Sequence, residues 1–532
     1  MPKKRVIAGA QVLDGTGAAA TAADVYIAEG TIQEVRPASD NHGAWDVLDA
    51  SGLTLAPGFI DVHSHADNAP FLPEHDTTKI LQGVTTEVVG NCGFSLAPRT
   101  PEHAGLLAAF SQRLFPPVDW PGHTFAEFLH EADRPGYVTN YAPLVGHGTL
   151  RIAAMGMEAR KPTRAEQQKM GSLLEESLAA GAFGLSSGLI YPPGLFSETE
   201  ELIRLAERLP RQRLYTSHIR GEGDHLEESV AEALRIGKEA RCRVQISHHK
   251  AAGKANWGKT KATLPMIAEA RARGVEVDQD VYPYTASSTM LTATLPPSFL
   301  VGSEEDVLGR LQDPASVIEL KRAIAEGVEG WENHVANSGW DGILISTTAD
   351  HRFEGMTLAE VAQMLHVDPV DGLIHVLLSE RLRASMILFI MSEDDLQRVL
   401  SDAHTMIGSD GLPPGLGGKP HPRLFGTFPR VLARYVREIP VLSLAEAVRK
   451  MTSLPAEKFR IPARGLLTPG KVADIVAFEA NTIRDIGDYR DPVHPPEGIR
   501  WVMQAGQVVV ESGQFLGRRA GTRLTPHDAM SC

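Results

Sequence analysis

Gly58-Phe59-Ile60-Asp61-Val62-His63-Ser64-His65 is the stretch on which the fold turns. A short apolar run closes in His-x-His, and because alternate residues of a strand share a face, His63 and His65 project together from one strand end. Two imidazoles so placed suit a divalent metal, although His-x-His alone reads equally well as two unrelated polar residues. Outward from this stretch the same pattern recurs. Eight short apolar runs end in polar or ionisable residues: Phe59–His63, Thr85–Val89, Val138–Val145, Ala182–Ser186, Leu214–His218, Arg243–His248, Val275–Tyr282 and Thr405–Asp410. Stretches of helical periodicity lie between them, among them Arg164–Ala180, Leu226–Ala240 and Thr263–Arg273. Alternation of this kind predicts an α/β fold, a (β/α)8 TIM-like barrel with its chemistry at the carboxyl ends of the strands.

The flanks read differently. Residues 4–50 are short β-rich pieces broken by Gly-rich turns, and after the helical stretch Leu444–Thr452 the chain returns to strand-like pieces at Ala473–Phe478 and Trp501–Val510. The expected organisation is therefore a catalytic barrel over 56–464 and a small β-sandwich domain built from both termini, 1–55 and 465–532. More than a hundred residues separate the seventh and eighth runs, far beyond a usual connection. They hold helical stretches such as Val317–Val328 and Leu358–Leu365, so an inserted subdomain at about 286–350, a possible lid, is expected.

Composition excludes several classes. With 532 residues, 43% hydrophobic and 22% charged, the chain is an ordinary globular one, and its net charge of −14 repels phosphate backbones and anionic headgroups. No nucleic acid and no membrane partner is expected. Three cysteines, Cys92, Cys242 and Cys532, are too few for a disulfide framework, which points to a reducing, cytoplasmic location. The start imitates a signal peptide, but Gln11 and Asp14 cut its apolar region short. The uncharged stretch 177–197 carries too many Gly and Pro to span a bilayer and reads as a buried strand with its loop.

Cys92 follows the second run, His218 ends the fifth, His248 the sixth and Asp410 the eighth. Each has a bland alternative: filler for Cys92, satisfied core imidazoles for the histidines, a helix cap for Asp410. Together with His63 and His65 they bring thiolate, imidazole and carboxylate donors to five strand ends, a zinc-type set.

On these residues the chain resembles the metal-dependent amidohydrolases, and within them the D-aminoacylases, or N-acyl-D-amino-acid deacylases. The resemblance runs through Gly90-Asn91-Cys92-Gly93, Ser247-His248-His249-Lys250, Tyr282-Pro283-Tyr284-Thr285-Ala286, Gly408-Ser409-Asp410-Gly411 and Pro420-His421-Pro422-Arg423-Leu424, and through the closing Thr452-Ser453-Leu454-Pro455-Ala456 and Gly470-Lys471-Val472-Ala473-Asp474-Ile475. Many amidohydrolases bridge two metals with a carboxylated lysine from the fourth strand; Ala182–Ser186 has none, and Cys92 stands where the D-aminoacylases carry a cysteine instead. The resemblance implies one tightly bound Zn2+ on Cys92, His218 and His248, with His63, His65 and Asp410 lining a second, weak position. It also implies a small-molecule N-acyl amino acid substrate, with Asp410 shuttling the proton from water to the departing amine.

Such a substrate needs a grip on its carboxylate. Lys250 and Arg423 offer the cations, Tyr282 and Ser288 complete the grip by resemblance, and Arg220, on the strand face of His218, is an alternative. Between Thr285 and Gly302 there is no Lys or Arg; Met290, Leu291, Leu295, Phe299 and Leu300 dominate. As a pocket wall they favour an apolar substrate side chain, but they read equally as the insertion's own core. The segment from Pro413 to Lys419 is longer and less acidic than the D-aminoacylase pattern, which bears on where Arg423 lands. Other readings are a cyclic-amide hydrolase or D-specific dipeptidase on the same scaffold, and a non-catalytic barrel.

Overall fold

A computed structural model describes residues 4–526 apart from Pro73 and Pro414. Cys532, which has no assigned role, lies outside the described residues, as does Pro414 within the loop before Arg423. The chain opens with β1 (Arg5–Val12), β2 (Thr21–Ala28), β3 (Thr31–Pro37), β4 (Asp46–Asp49) and β5 (Thr54–Pro57). β1 pairs antiparallel with β2 and parallel with β4 and β5.

All eight apolar runs contain strands. They are β6 (Phe59–Asp61), β7 (Val84–Val89), β8 (Asn140–Pro143) with its continuation β9 (Val145–Gly146), β10 (Gly184–Gly188), β11 (Leu214–His218), β12 (Arg243–Ile246) and β13 (Val277–Val281), then, after the insertion, the last barrel strand. The insertion carries β14 (Ser287–Met290), β15 (Ile343–Thr347) and β16 (Ser385–Leu388), a separate antiparallel sheet in the order β14-β16-β15, and the barrel resumes at β17 (Thr405–Ile407). Every residue of β7, β10, β11 and β13 is buried, as a parallel sheet covered on both faces requires. Helices cover the outside. The one at Arg164–Ala179 starts where Thr163 and Glu166 form a reciprocal capping box, and Leu226–Ala240 keeps the bounds its periodicity predicts.

Parallel ladders run β6-β7-β8 and β9-β10-β11-β12-β13-β17, and the joins between them are made singly. At the third strand, Leu144 N donates to Val89 O at 2.8 Å and Phe183 N to Pro143 O at 2.7 Å. At the seam between the last and first strands, Ser64 bridges Gly411, Asp410 N donates to His63 O at 2.7 Å, and the Asp61 carboxylate accepts from Ser409 N at 2.8 Å and Ser409 Oγ at 2.6 Å. This clasp brings His63, His65 and Asp410 to one place.

The chain ends in β18 (Ile475–Phe478), β19 (Ile499–Gln504), β20 (Gln507–Glu511) and β21 (Gln514–Phe515). β18 pairs antiparallel with β5, so strands from both termini form one continuous sheet whose arms share an apolar core containing Ile7, Val25, Ile475 and Trp501. The run Trp501–Val510 is not one strand: Ala505 and Gly506 take positive φ of 44° and 77° and turn it into the β19–β20 hairpin. No helix among the described residues is long and apolar enough to cross a membrane.

Candidate metal centre and substrate cavity

Five strand ends converge. His63 Nε2 lies 3.2 Å from Cys92 Sγ and 3.4 Å from Asp410 Oδ1, His65 Nε2 lies 3.3 Å from the same carboxylate oxygen, and Cys92 Sγ is 3.7 Å from His248 Nε2. The rings of His218 and His248 meet edge to face at 4.4 Å. Two donor groups result, His63, His65, Cys92 and Asp410 on one side and Cys92, His218 and His248 on the other, each with its ligand atoms within 4.8 Å of one another. The resemblance implies a tight position and a weak one; the structure adds that the Cys92 thiol belongs to both donor groups.

Three of these residues sit on strained backbone. Cys92, His248 and Asp410 take φ of 54°, 35° and 48°, where non-glycine residues are uncommon and whose cost is tolerated mainly at functional sites. The Cys92 turn packs closely on β10, where a Cβ on Gly188 would collide with the Cys92 carbonyl. The His248 turn is held by its own N–H, which donates to Asp280 Oδ1 at 2.8 Å.

All six residues are buried. Burial opposes ionisation of the Cys92 thiol, yet the imidazoles of His63, His218 and His248 hold it well below the usual thiol range. Cys242, buried without such neighbours, is pushed up to about 12. Burial likewise disfavours the Asp410 carboxylate, but Arg423 and the histidines hold it well below the ordinary carboxylate range. Burial and the neighbouring His248 push His218 down, toward the neutral form that can ligate. Both nitrogens of His218 and Nδ1 of His65 are buried with no hydrogen-bond partner. Unsatisfied imidazole nitrogens beside a thiolate fit a zinc ion, whose ligands must be deprotonated and whose bonds replace the missing hydrogen bonds.

Beside this cluster lies a narrow cavity. Lys250, Tyr282 and Ser288 line it. The Arg423 guanidinium is fully buried at the start of the helix Arg423–Arg430, so the longer loop before it does not carry it away. It stacks on the Tyr282 ring at 4.5 Å, pairs with Asp410 Oδ2 at 2.9 Å and donates to Ser288 O at 3.0 Å. Its Nε and Nη1, and the Tyr282 hydroxyl, have no hydrogen-bond partner. Ser288 Oγ donates to Met386 O at 2.8 Å and keeps only acceptor capacity. Lys250 is ion-paired with Glu222. Arg220, the alternative cation, pairs instead with Glu232 at 2.9 Å; neither it nor Arg423 is among the residues lining the cavity, but Arg423 stands directly behind the lining residues Asp410, Tyr282 and Ser288.

The apolar segment after Thr285 divides. Met290 lines the cavity, whereas Leu291, Leu295, Phe299 and Leu300 pack into the insertion's own core. The other aliphatic and phenyl walls are Phe94, Leu114, Ile190, Leu388, Ile390 and Leu412. Two groups beside the ligands are missed by the sequence reading. Glu222 lies in a loop four residues beyond His218, and Tyr191, whose ring meets His218 at 5.1 Å, follows β10 in the Gly- and Pro-rich stretch. An acidic residue just past a ligand-bearing strand end was the available clue to Glu222.

Barrel, strand-end ligands and cavity define a metal-dependent hydrolase of one kind: the chain belongs to the amidohydrolase family, whose profile matches residues 46–510. Within it the chain stands among the D-aminoacylases. It is 39% identical to an N-acyl-D-glutamate deacylase of Alcaligenes xylosoxydans xylosoxydans, over 95% of this chain and 93% of that one. It is 36% identical to a D-aminoacylase of the same organism, over 98% of each. Among solved structures, the N-acyl-D-glutamate deacylase of Bordetella bronchiseptica, complexed with zinc and a phosphonate mimic of the tetrahedral intermediate, superposes with a TM-score of 0.81 at 36% identity, covering 98% of this chain and 100% of that one.

Proposed function

We propose that the protein is a zinc-dependent deacylase that hydrolyses the amide of N-acyl-D-amino acids with apolar side chains, giving a carboxylate and a free D-amino acid. The observation that carries this reading is the Cys92, His218 and His248 cluster, with its unsatisfied imidazole nitrogens, set against Asp410 at the head of the cavity. Cys92, His218 and His248 would hold the zinc, with His63, His65 and Asp410 as a second, weaker position. Zinc bound there supplies Lewis acidity and a water acidified toward neutrality.

The chain's own groups do the rest. Arg423 on Oδ2 keeps Asp410 ionised, and Oδ1, which faces His63 and His65, would take the proton of the attacking water and return it to the departing amide nitrogen. Lys250, Arg423 and the Tyr282 hydroxyl grip the substrate carboxylate, Ser288 borders it, and the unsatisfied donors of Arg423 and Tyr282 are what such an anion would complete. Preference for apolar side chains is supported by the cavity walls, and by the absence, among the described residues lining it, of a cation not already paired. The D configuration is supported by the relatives. Zinc-loaded protein should release amine from N-acetyl-D-leucine and N-acetyl-D-methionine, little from N-acetyl-D-glutamate and none from N-acetyl-L-leucine. Absence of release from every one of them would sink the reading.

A further inference from the structure

The His248 nitrogen that faces away from Cys92 sits in a crowded corner. His248 Nδ1 is 2.9 Å from Glu222 Oε1 and 2.8 Å from Lys250 Nζ, and Lys250 and Glu222 are themselves ion-paired. All three side chains are buried. Two hydrogen-bond patterns could satisfy this triangle, and they differ in what they leave on the opposite nitrogen. If Nδ1–H donates to Glu222, Nε2 presents a lone pair toward Cys92. If the Lys250 ammonium donates to Nδ1, the neutral ring carries its proton on Nε2, where it obstructs a metal. An ammonium only donates and a carboxylate only accepts, so of the two neighbours Glu222 alone can select the first pattern.

We infer that Glu222 is a positioning residue that fixes His248 in its metal-binding tautomer and holds the Lys250 ammonium off that ring. The inference rests on the zinc reading of the site. Glu222 is itself fixed at both ends of its peptide unit: its N–H donates to Glu332 Oε2 at 2.9 Å and its carbonyl accepts from Ala252 N at 2.8 Å. Glu332 comes from the insertion, so that segment, which also lines the cavity, braces Glu222 through a carboxylate on its main-chain N–H. Lys250, drawn to Glu222, stays 5.6 Å from the Tyr282 ring centroid, on the side of the cavity where the substrate carboxylate is gripped.

The test is a cycle of variants read by zinc affinity, using chelator competition on the full chain. Glu222→Ala should weaken zinc binding by about 10–100-fold, the usual effect of losing an outer-shell partner of a ligating histidine. Lys250→Met alone should leave zinc affinity near native while raising KM. Combined, Glu222→Ala with Lys250→Met should bind zinc more tightly than Glu222→Ala, because the competitor for Nδ1 is gone; a merely structural role predicts no such recovery. Glu222→Gln, which keeps an acceptor and the shape, should lose less than Glu222→Ala and serves if the alanine variant does not fold. Native-like zinc affinity in the Glu222 variants, or a double variant no better than the single one, overturns the assignment. A native chain that binds no zinc overturns the zinc reading as well, so the two failures are distinguishable.

Discussion

Two buried polar clusters lie within a few residues of each other in the barrel and differ in one respect. Around Lys79 the hydrogen bonding is complete: Lys79 Nζ meets Asp61 at 3.3 Å, Glu87 at 3.4 Å and Ser64 Oγ at 3.3 Å, Ser64 Oγ donates to Glu87 at 2.8 Å, and Thr139 donates to the other Glu87 oxygen at 2.6 Å. Around Cys92 it is incomplete, with both His218 nitrogens, the Tyr282 hydroxyl and two Arg423 nitrogens left without partners. Burial is the same in both, so burial of charge does not mark the site. A buried network that satisfies itself is scaffold, whereas one with aimed, unsatisfied atoms is built for something that completes it.

Removing a member of each cluster tests that contrast. The largest effect is expected from Cys92→Ala, which takes away the donor common to both ligand groups. It should lose bound zinc together with turnover, and metal analysis of the purified variant checks it. Next is Asp410→Asn, which should keep zinc and lose about 10²–10⁴-fold in kcat, the range of a general acid–base group; near-normal turnover would refute the shuttle. Lys79→Met should do the reverse. With Asp61 and Glu87 left uncompensated in the interior, it should lose about 3–5 kcal/mol of stability, seen as a lower urea midpoint, and still bind zinc. A Lys79 variant that loses zinc but not stability would erase the distinction between scaffold and site.

Much of this was legible beforehand. Most barrel strands announce themselves as short runs rich in apolar residues, as a parallel strand buried on both faces favours, although β7 and β13 carry buried Glu87 and Asp280 in mid-strand. For the same reason the ligands stand out as the polar residues that break each run. What the sequence does not display is pairing. Nothing in the spacing of Lys250 and Glu222 shows that the cation is already matched, and nothing local joins β14 to β16 across the insertion. Leu291 and Phe299 read as pocket wall or insertion core until the sheet that covers them is known. The β19–β20 hairpin is hidden for another reason: its turn uses Ala505, an unusual residue for positive φ.

The smallest expected effect separates two buried lysines. Carboxylates surround Lys79, and although burial works against its charge, Asp61, Glu87 and Asp76 raise its pKa. Lys450 Nζ instead faces the carbonyls of Asp402 and Thr405, with Glu446 3.8 Å away, and burial brings it down from 10.5 to about 8. Below about 8 the folded and unfolded chains both hold this proton, and stability does not depend on pH through Lys450. Between about 8 and 10.5 the unfolded chain binds more protons than the folded one, so stability rises with pH, by about 3 kcal/mol over the whole window. Relative to Lys450→Met, the native protein should therefore gain stability between pH 7.5 and 10.5, read as diverging urea midpoints. Lys79 should show no such divergence from Lys79→Met in that window, because a raised pKa leaves its contribution intact until the pH passes 10.5. Parallel profiles for native protein and Lys450→Met would mean that the two carbonyls stabilise an ammonium as well as carboxylates do. The difference between the two lysines would then lie in geometry and not in charge.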